Sequence, residues 1–322
     1  MECESTSNNI HLTGISSSNP LAVMASFGLL RVCDQIKELN DSRLFWETDD
    51  GEGFLDEPHA VLEAPDGVDE KRLLCYLADY NDSDLSQVLS WDEDIRMRPE
   101  KFKDLITGYL SGASHSDRLL LDYLCAFGSE LVTDDTKKLV KPSALYMISG
   151  RQKFLSSLLT IREALFKDRN KTFEAFHEAL IGPWNYNDEH HSLGWDPSTE
   201  RLYALRNKAP TDEKPRSVIA AVWLAFNSLP LYPTAISSRQ KLVTTGFSRT
   251  ENQVDSFVWP IWKYPIGLDS LRSLLASSEL AVPSKRKDAL IRRGIFAVYR
   301  SVRSELVEGR WILRPATIEW CL

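Results

Sequence analysis

Apolar and polar residues first fall into a clear rhythm at Ile10-His11-Leu12-Thr13-Gly14-Ile15, which alternates with the period of two expected of a strand. A polar loop, Ser16-Ser17-Ser18-Asn19, leads to Pro20. Proline suits the first helical position, where its missing N–H would have no partner anyway, and asparagine before it suits the N-cap, so a helix is predicted from Pro20. Leu21, Met24, Leu29, Val32 and Ile36 then lie close to one face, the mark of a core helix. Residues 40–70 are broken by Gly51, Gly53, Pro58, Pro65 and Gly67, with short strands predicted at Leu44–Glu47 and His59–Glu63. Helices are predicted over Asp69–Tyr80, Glu100–Leu110, His115–Gly128, Arg151–Phe166 and Phe173–Ile181. An acidic tract fills Asn81–Met97, and Lys137–Met147 reads as a basic loop followed by an apolar strand.

Ser192 to Thr234 organises the rest. It reads as a strand and turn around Trp195-Asp196-Pro197, a second strand at Arg201–Leu205, a polar loop to Arg216 and an apolar helix over Ser217–Asn227, stopped by Leu229-Pro230-Leu231-Tyr232-Pro233. Such a unit positions surfaces and carries no catalytic motif. Beyond it come a strand at Arg239–Phe247 and an aromatic run, Val254–Trp262, whose proline restricts it to an edge or a loop. A helix at Gly267–Leu275 follows, then a basic turn, Lys285-Arg286-Lys287, a segment Asp288–Arg303 tested as a helix, and a last strand at Trp311–Glu319. The fold class predicted is α+β, with several core helices and short, irregular, mostly antiparallel strands. Residues 1–9 are expected to be disordered. Residues 10–170 form an N-terminal α+β region with an acidic insertion at 41–100, and 171–322 a C-terminal one with a basic end, divided near Lys171.

Composition changes this picture in one respect. The net charge of −8 over 322 residues argues against a free-standing DNA-binding protein, which ordinarily carries a basic surplus to displace counterions. The distribution is polar, however: residues 41–100 hold 18 acids against 5 bases, while residues 281–322 hold 9 bases against 4 acids. An acidic face turned away from nucleic acid and a basic face meeting it, or another subunit, would account for that, as would plain solvated surface. The five cysteines are far apart and read as reduced thiols, with no leader-like or membrane-spanning stretch, so a cytoplasmic protein is expected.

Four places hold candidate chemistry. The Ser17-Ser18-Asn19 loop opening a helix is an ordinary cap or an anion site. Arg151, Gln152 and Lys153 open the helix predicted from Arg151, where two cations oppose the helix dipole and an external anion would compensate them. Asp188-Glu189-His190-His191 has metal-ligand residue types, but adjacent histidines on a strand point to opposite faces, so a polar edge fits better than a metal site. Arg292, Arg293, Arg300 and Arg303 would share one side if Asp288–Arg303 is helical, and together with Lys285, Arg286 and Lys287 they are the leading nucleic-acid candidates; they would serve as well in ion pairs. The aromatic run Phe257, Trp259 and Trp262 would stack bases or pack as core.

Six blocks in one order resemble proteins encoded in CRISPR-Cas type I-U (I-G) loci: GISSSNPLAVMASFGLLRV, SGRQKFL at 149–155, LGWDPSTERLYALR at 193–206, LAFNSLPLYP at 224–233, FVWPIWKYPIGLDSLRSLL at 257–275 and RRGIFAVYRSVR at 292–303. The resemblance spans nearly the whole chain except 41–100. It implies a non-enzymatic subunit of a crRNA-guided Cascade complex, of the large-subunit type that reads the protospacer-adjacent motif, binds target DNA and recruits a helicase-nuclease. The partners it implies are crRNA, target DNA, the backbone and crRNA-processing subunits and that helicase-nuclease, with no membrane, cofactor, metal or catalytic residue. A metal nuclease built on Asp188–His191 and a purely structural assembly module are the rival readings.

Overall fold

The computed structural model describes residues 8–48, 57–80, 83–112, 114–148, 152–198, 216–249, 255–307 and 310–322. The helices among them are α1 (Pro20–Gln35), α2 (Glu70–Ala78), α3 (Ser83–Ser90), α4 (Pro99–Gly112), α5 (His115–Phe127), α6 (Phe154–Leu165), α7 (Arg169–Leu180), α8 (Ile219–Asn227), α9 (Leu268–Leu275) and α10 (Lys287–Arg292). The strands are β1 (Asn8–Ser16), β2 (Arg43–Glu47), β3 (His59–Ala64), β4 (Gly128–Thr133), β5 (Val140–Pro142), β6 (Thr234–Ile236), β7 (Leu242–Thr244), β8 (Phe247–Arg249), β9 (Asp255–Trp262), β10 (Ile295–Val307), β11 (Arg310–Leu313) and β12 (Thr317–Cys321). The architecture is α+β. The sheets are small and their strand pairs antiparallel.

Two largely apolar, buried helices make the centre. Asn19 caps α1 as expected, its Oδ1 accepting from the Leu21 N–H at 2.9 Å and the Ala22 N–H at 3.5 Å, with Pro20 at the first turn. Every residue from Pro20 to Cys33 is buried, and α1 reaches solvent only at its last two residues, Asp34 and Gln35. All of α8 is buried too. The two helices cross at Gly28, where a Cβ would lie only 1.8 Å from the Leu224 carbonyl oxygen. Glycine is required there because backbone meets backbone. Aromatic rings close round α8: Tyr123, Phe127 and Phe154 against Phe226, and Phe166 and Phe176 against Trp223.

Sheet β1-β3-β2 joins α1 from one side. Asn8 and Asn9, expected to be disordered, pair with Ala64 and Glu63. The acidic stretch 41–100 is not an insertion hung outside the core, since Leu44, Trp46, Leu62, Leu74, Leu77 and Val88 are all buried in it. Among the described residues most of its charge lies outward, with Asp94 buried, while β2, β3, α2 and α3 contribute apolar faces inward. Helix α3 was not predicted within the acidic tract; Leu85, Val88 and Leu89 give it a buried stripe.

The second sheet runs β11-β10-β9-β8, with β12 on β10. The aromatic run is β9, inside this sheet rather than at a loop, and Phe257, Trp259 and Trp262 are core. Pro260 is tolerated for a local reason. The Val258 N–H points to the Gly246 carbonyl (2.8 Å), so by alternation the missing N–H of Pro260 faces the same edge, beyond the end of β8, whose pairing with β9 stops at Phe257.

Several predicted elements shift. The strand predicted at Arg239–Phe247 is instead the end of a β6–β7 hairpin and the start of β8, broken by Gly246 at φ +77°. β4 was not predicted, and β5 is confined to Val140–Pro142, so the residues after it form no strand. Trp195 lies beside a turn, not in a strand, and Arg201–Leu205 is outside the described residues. The last strand is two, β11 and β12, separated by Arg314-Pro315-Ala316 and both paired with β10. The division near Lys171 falls inside α7, which starts at Arg169 behind an Asp168 cap. Ties cross it everywhere: the Trp259 indole donates to the Ser17 carbonyl at 3.0 Å and the Trp262 indole to the Leu44 carbonyl at 2.8 Å. One apolar core runs through both halves.

Candidate nucleic-acid interface

Two hairpins and the outer end of the second sheet enclose a groove of about 800 Å³. One hairpin, β4–β5, turns on Asp134, whose carboxylate accepts backbone N–H groups of Thr136 (3.0 Å), Lys137 (2.5 Å) and Leu139 (3.3 Å). Burial pushes the Asp134 carboxyl up, but these donors more than offset it and hold it below the usual carboxylate range. The turn thereby presents Lys137, with Lys138 at φ +56°. The second hairpin, β6–β7, is fixed to the first region by the Ala144 N–H donating to the Thr244 hydroxyl at 2.9 Å, and it presents Lys241.

Lys137, Lys141 and Lys241 extend into the groove from exposed positions, and Arg96 and Arg303 complete a set of five cations facing two acids, Asp134 and Asp255. Both arginines are held by stacking. Arg96 lies 5.1 Å from the Tyr146 ring centre and its guanidinium 3.4 Å from Asp94, which also accepts from the Tyr146 hydroxyl at 3.0 Å. Arg303 lies 4.5 Å from the Trp311 ring centre and donates to the Tyr146 carbonyl at 3.2 Å. Burial lowers the Arg303 pKa, against the opposing pull of Asp255 and Glu305. The lining is therefore positive and partly aromatic, which suits a phosphate backbone. Of the residues singled out in the sequence, only Arg303 belongs to it. Lys137 stands in the loop read as basic, but the groove needs lysines from two hairpins, and no local spacing links residues 137, 141 and 241.

The other expected sites do not converge. The surface role expected of Ser17 is corrected: the residue is fully buried, its hydroxyl meeting the Tyr299 hydroxyl at 3.3 Å. The anion at the opening of α1 is the protein's own. Glu57 accepts from the Ser18 N–H at 2.7 Å and from the Ser16 hydroxyl, and Asn19 donates onward to Asp196 at 3.2 Å. Asp196 is buried, and desolvation raises its carboxyl pKa. A cleft of about 460 Å³ opens beside it, with no charged side chain among its described lining.

Lys153 is the N-cap of α6 rather than in its first turn, Gln152 pairs with the His191 ring, and Arg151 lies outside the described residues. The single helix tested for Asp288–Arg303 is corrected. α10 ends at Arg292 and β10 begins at Ile295, because Gly294 at φ +73° and the β-branched, aromatic run that follows favour a strand. Arg300 is thus buried, 8 % exposed, bonded to Glu319 at 2.9 Å and the Ser248 hydroxyl at 2.9 Å. Arg293 pairs with Glu279 at 3.2 Å. Lys285, Arg286, Lys287 and Arg292 are exposed, but at the opposite end of β10 from Arg303.

In the metal rival, Asp188 Oδ2 accepts the Ile219 N–H at 3.0 Å and caps α8, while the His191 pKa falls to about 4, through burial first and then Arg310 and His190. Asp188 and His191 thus serve separate tasks. Among the described residues, one group of three could hold a metal by distance: His11, Glu47 and His59. No helix among them is long and apolar enough to cross a membrane. Compared with protein-family models, curated proteins and solved structures, the chain finds no match.

Proposed function

We propose that this chain is a non-enzymatic, cytoplasmic subunit of a crRNA-guided type I surveillance complex, in the large-subunit role of binding target DNA beside its adjacent motif and recruiting the helicase-nuclease. The groove carries the reading: five cations and two stacked aromatic-arginine pairs in about 800 Å³ form a track for a sugar–phosphate backbone. The six collinear sequence blocks supply the assignment to a Cascade complex. The overall charge of −8 makes the chain weak alone and dependent on the complex for affinity.

The test is target-duplex binding by the guide-loaded complex, reconstituted without the chain, with it, or with Lys137, Lys141 and Lys241 all changed to Glu, across a salt series and with the adjacent sequence varied. Selective loss of affinity for correctly flanked targets, on omission and on triple reversal, is expected. Binding unchanged in both would overturn the reading. One observation favours a second reading, a structural assembly module: Leu131, Ile236 and Val243 are exposed apolar residues on the same two hairpins. Loss of assembly with binding per assembled complex intact would select it.

A further inference from the structure

Strand register brings together three residues that are 36 and 12 positions apart in sequence. On the three-stranded sheet His11 stands opposite Val61, and Glu47 stands opposite His59. His59 and Val61 are two apart on the central strand, so their side chains leave the same face, and His11 and Glu47 join them there. The opposite face carries Ile10, Leu12, Leu44, Trp46, Ala60 and Leu62, all buried against the core. The same outer face also carries Val61 and Phe45, which are buried, so the three polar residues sit at the exposed end of a partly covered face.

Their spacing suits a metal. His11 Nδ1 lies 3.1 Å from His59 Nε2 and 3.8 Å from Glu47 Oε2, and the three ligand atoms all fall within 4.8 Å of one another. A tetrahedral zinc-class ion with bonds of about 2.0–2.1 Å holds its ligands roughly 3.3 Å apart, between the two measured separations. Two imidazoles and a carboxylate are also the donor set that such ions prefer, with at least one position left for water.

We infer that His11, Glu47 and His59 form a binding site for a divalent zinc-class cation that clamps β1, β2 and β3 together. The clamp has a second effect. His59 lies two residues after Glu57, the carboxylate that closes the opening of α1, so the ion fixes the segment that delivers it. The site is separate from the groove and does not depend on the function proposed for it.

The untagged, chelator-stripped full chain is titrated with Zn²⁺ calorimetrically and with Co²⁺ by visible absorption. One ion per chain is expected, with the intense visible bands of tetrahedral cobalt, and Zn²⁺ should raise the melting temperature. His11→Ala and His59→Ala should each weaken binding at least tenfold and abolish the thermal shift; Glu47→Gln, which keeps size and shape, should weaken it several-fold should either alanine variant misfold. Substituting His190 and His191 by Ala should leave the titration unchanged. Absence of cobalt bands in the wild type, equal affinity in the His11, Glu47 and His59 variants, or loss of binding on changing His190 and His191 would each overturn the site.

Discussion

The opening of α1 and the groove between the hairpins both answer the description of an anion site, yet only in the groove does the described lining offer cations. At the helix opening every attractive feature is already in use. The Ser18 N–H and Ser16 hydroxyl hold Glu57, the Ser17 carbonyl accepts the Trp259 indole, and Asn19 bridges the first turn of α1 to Asp196. A phosphate arriving there would meet a resident carboxylate and a cleft with no cation among its described lining residues. The groove has the reverse composition: Asp134 satisfies the backbone of the turn that presents Lys137, Ser237 closes the turn that presents Lys241, and Lys141 is exposed on β5, so all three ammonium groups are left to the groove. A helix N-terminus shows what the chain needs for folding. Side chains that no folding contact consumes show where it meets something else.

The comparison is broken most severely from the closed side. Gly28→Ala places a methyl carbon against the Leu224 carbonyl and must separate α1 from α8. The expected loss is about 3 kcal/mol or more, read from the urea midpoint; a midpoint within error of wild type would mean that the two helices do not cross this closely. On the open side, reversal of Lys137, Lys141 and Lys241 to Glu should weaken DNA binding of the assembled complex at least tenfold, about 1.4 kcal/mol, and flatten its salt dependence by up to ~0.9 in slope for each phosphate no longer neutralised. Folding should survive, because all three lysines are exposed.

Glu57→Gln sharpens the contrast from the other direction. It should cost about 1 kcal/mol of stability by weakening charge-assisted bonds to Ser16 and Ser18, with DNA affinity unchanged. Tighter DNA binding in this variant would reopen the helix mouth as an anion site. The smallest effect concerns His191. Its pKa in the fold is about 4 against 6.5 when free, so on acidification the unfolded chain takes up the proton first. Stability from this group is whole above about pH 6.5 and drains as pH falls towards 4. Partial exposure limits it to about 1 kcal/mol, measured as the extra loss between pH 7 and pH 5 in wild type relative to His191→Gln. Equal losses in both proteins would show that the imidazole is not desolvated.

How legible each feature was followed from how local its cause is. The α1 cap was readable because Asn19 and Pro20 act within one turn, and α8 because nine consecutive buried residues leave an unmistakable apolar run. Asp288–Arg303 misled because arginines spaced for a helix lie in a segment whose Ile295, Val298 and Tyr299 pack in a sheet, and sheet partners lie far off in sequence. His11 and His59 left a faint signal, a polar residue at the outward position of an alternating strand, but their meeting required the strand register.

What the sequence by itself determined is the α+β class, the two apolar helices, most helix limits and the concentration of charge at either end. Local propensity, capping and hydrophobic period act over a few residues, and those are written in the chain order. Tertiary structure alone decided which charges remain available. Arg300 became an internal partner of Glu319, Ser17 a buried link to the second sheet, and Lys137, Lys141 and Lys241 neighbours across one groove. Burial and tertiary pairing settle the fate of a polar group, and both depend on segments separate in sequence meeting around the shared core.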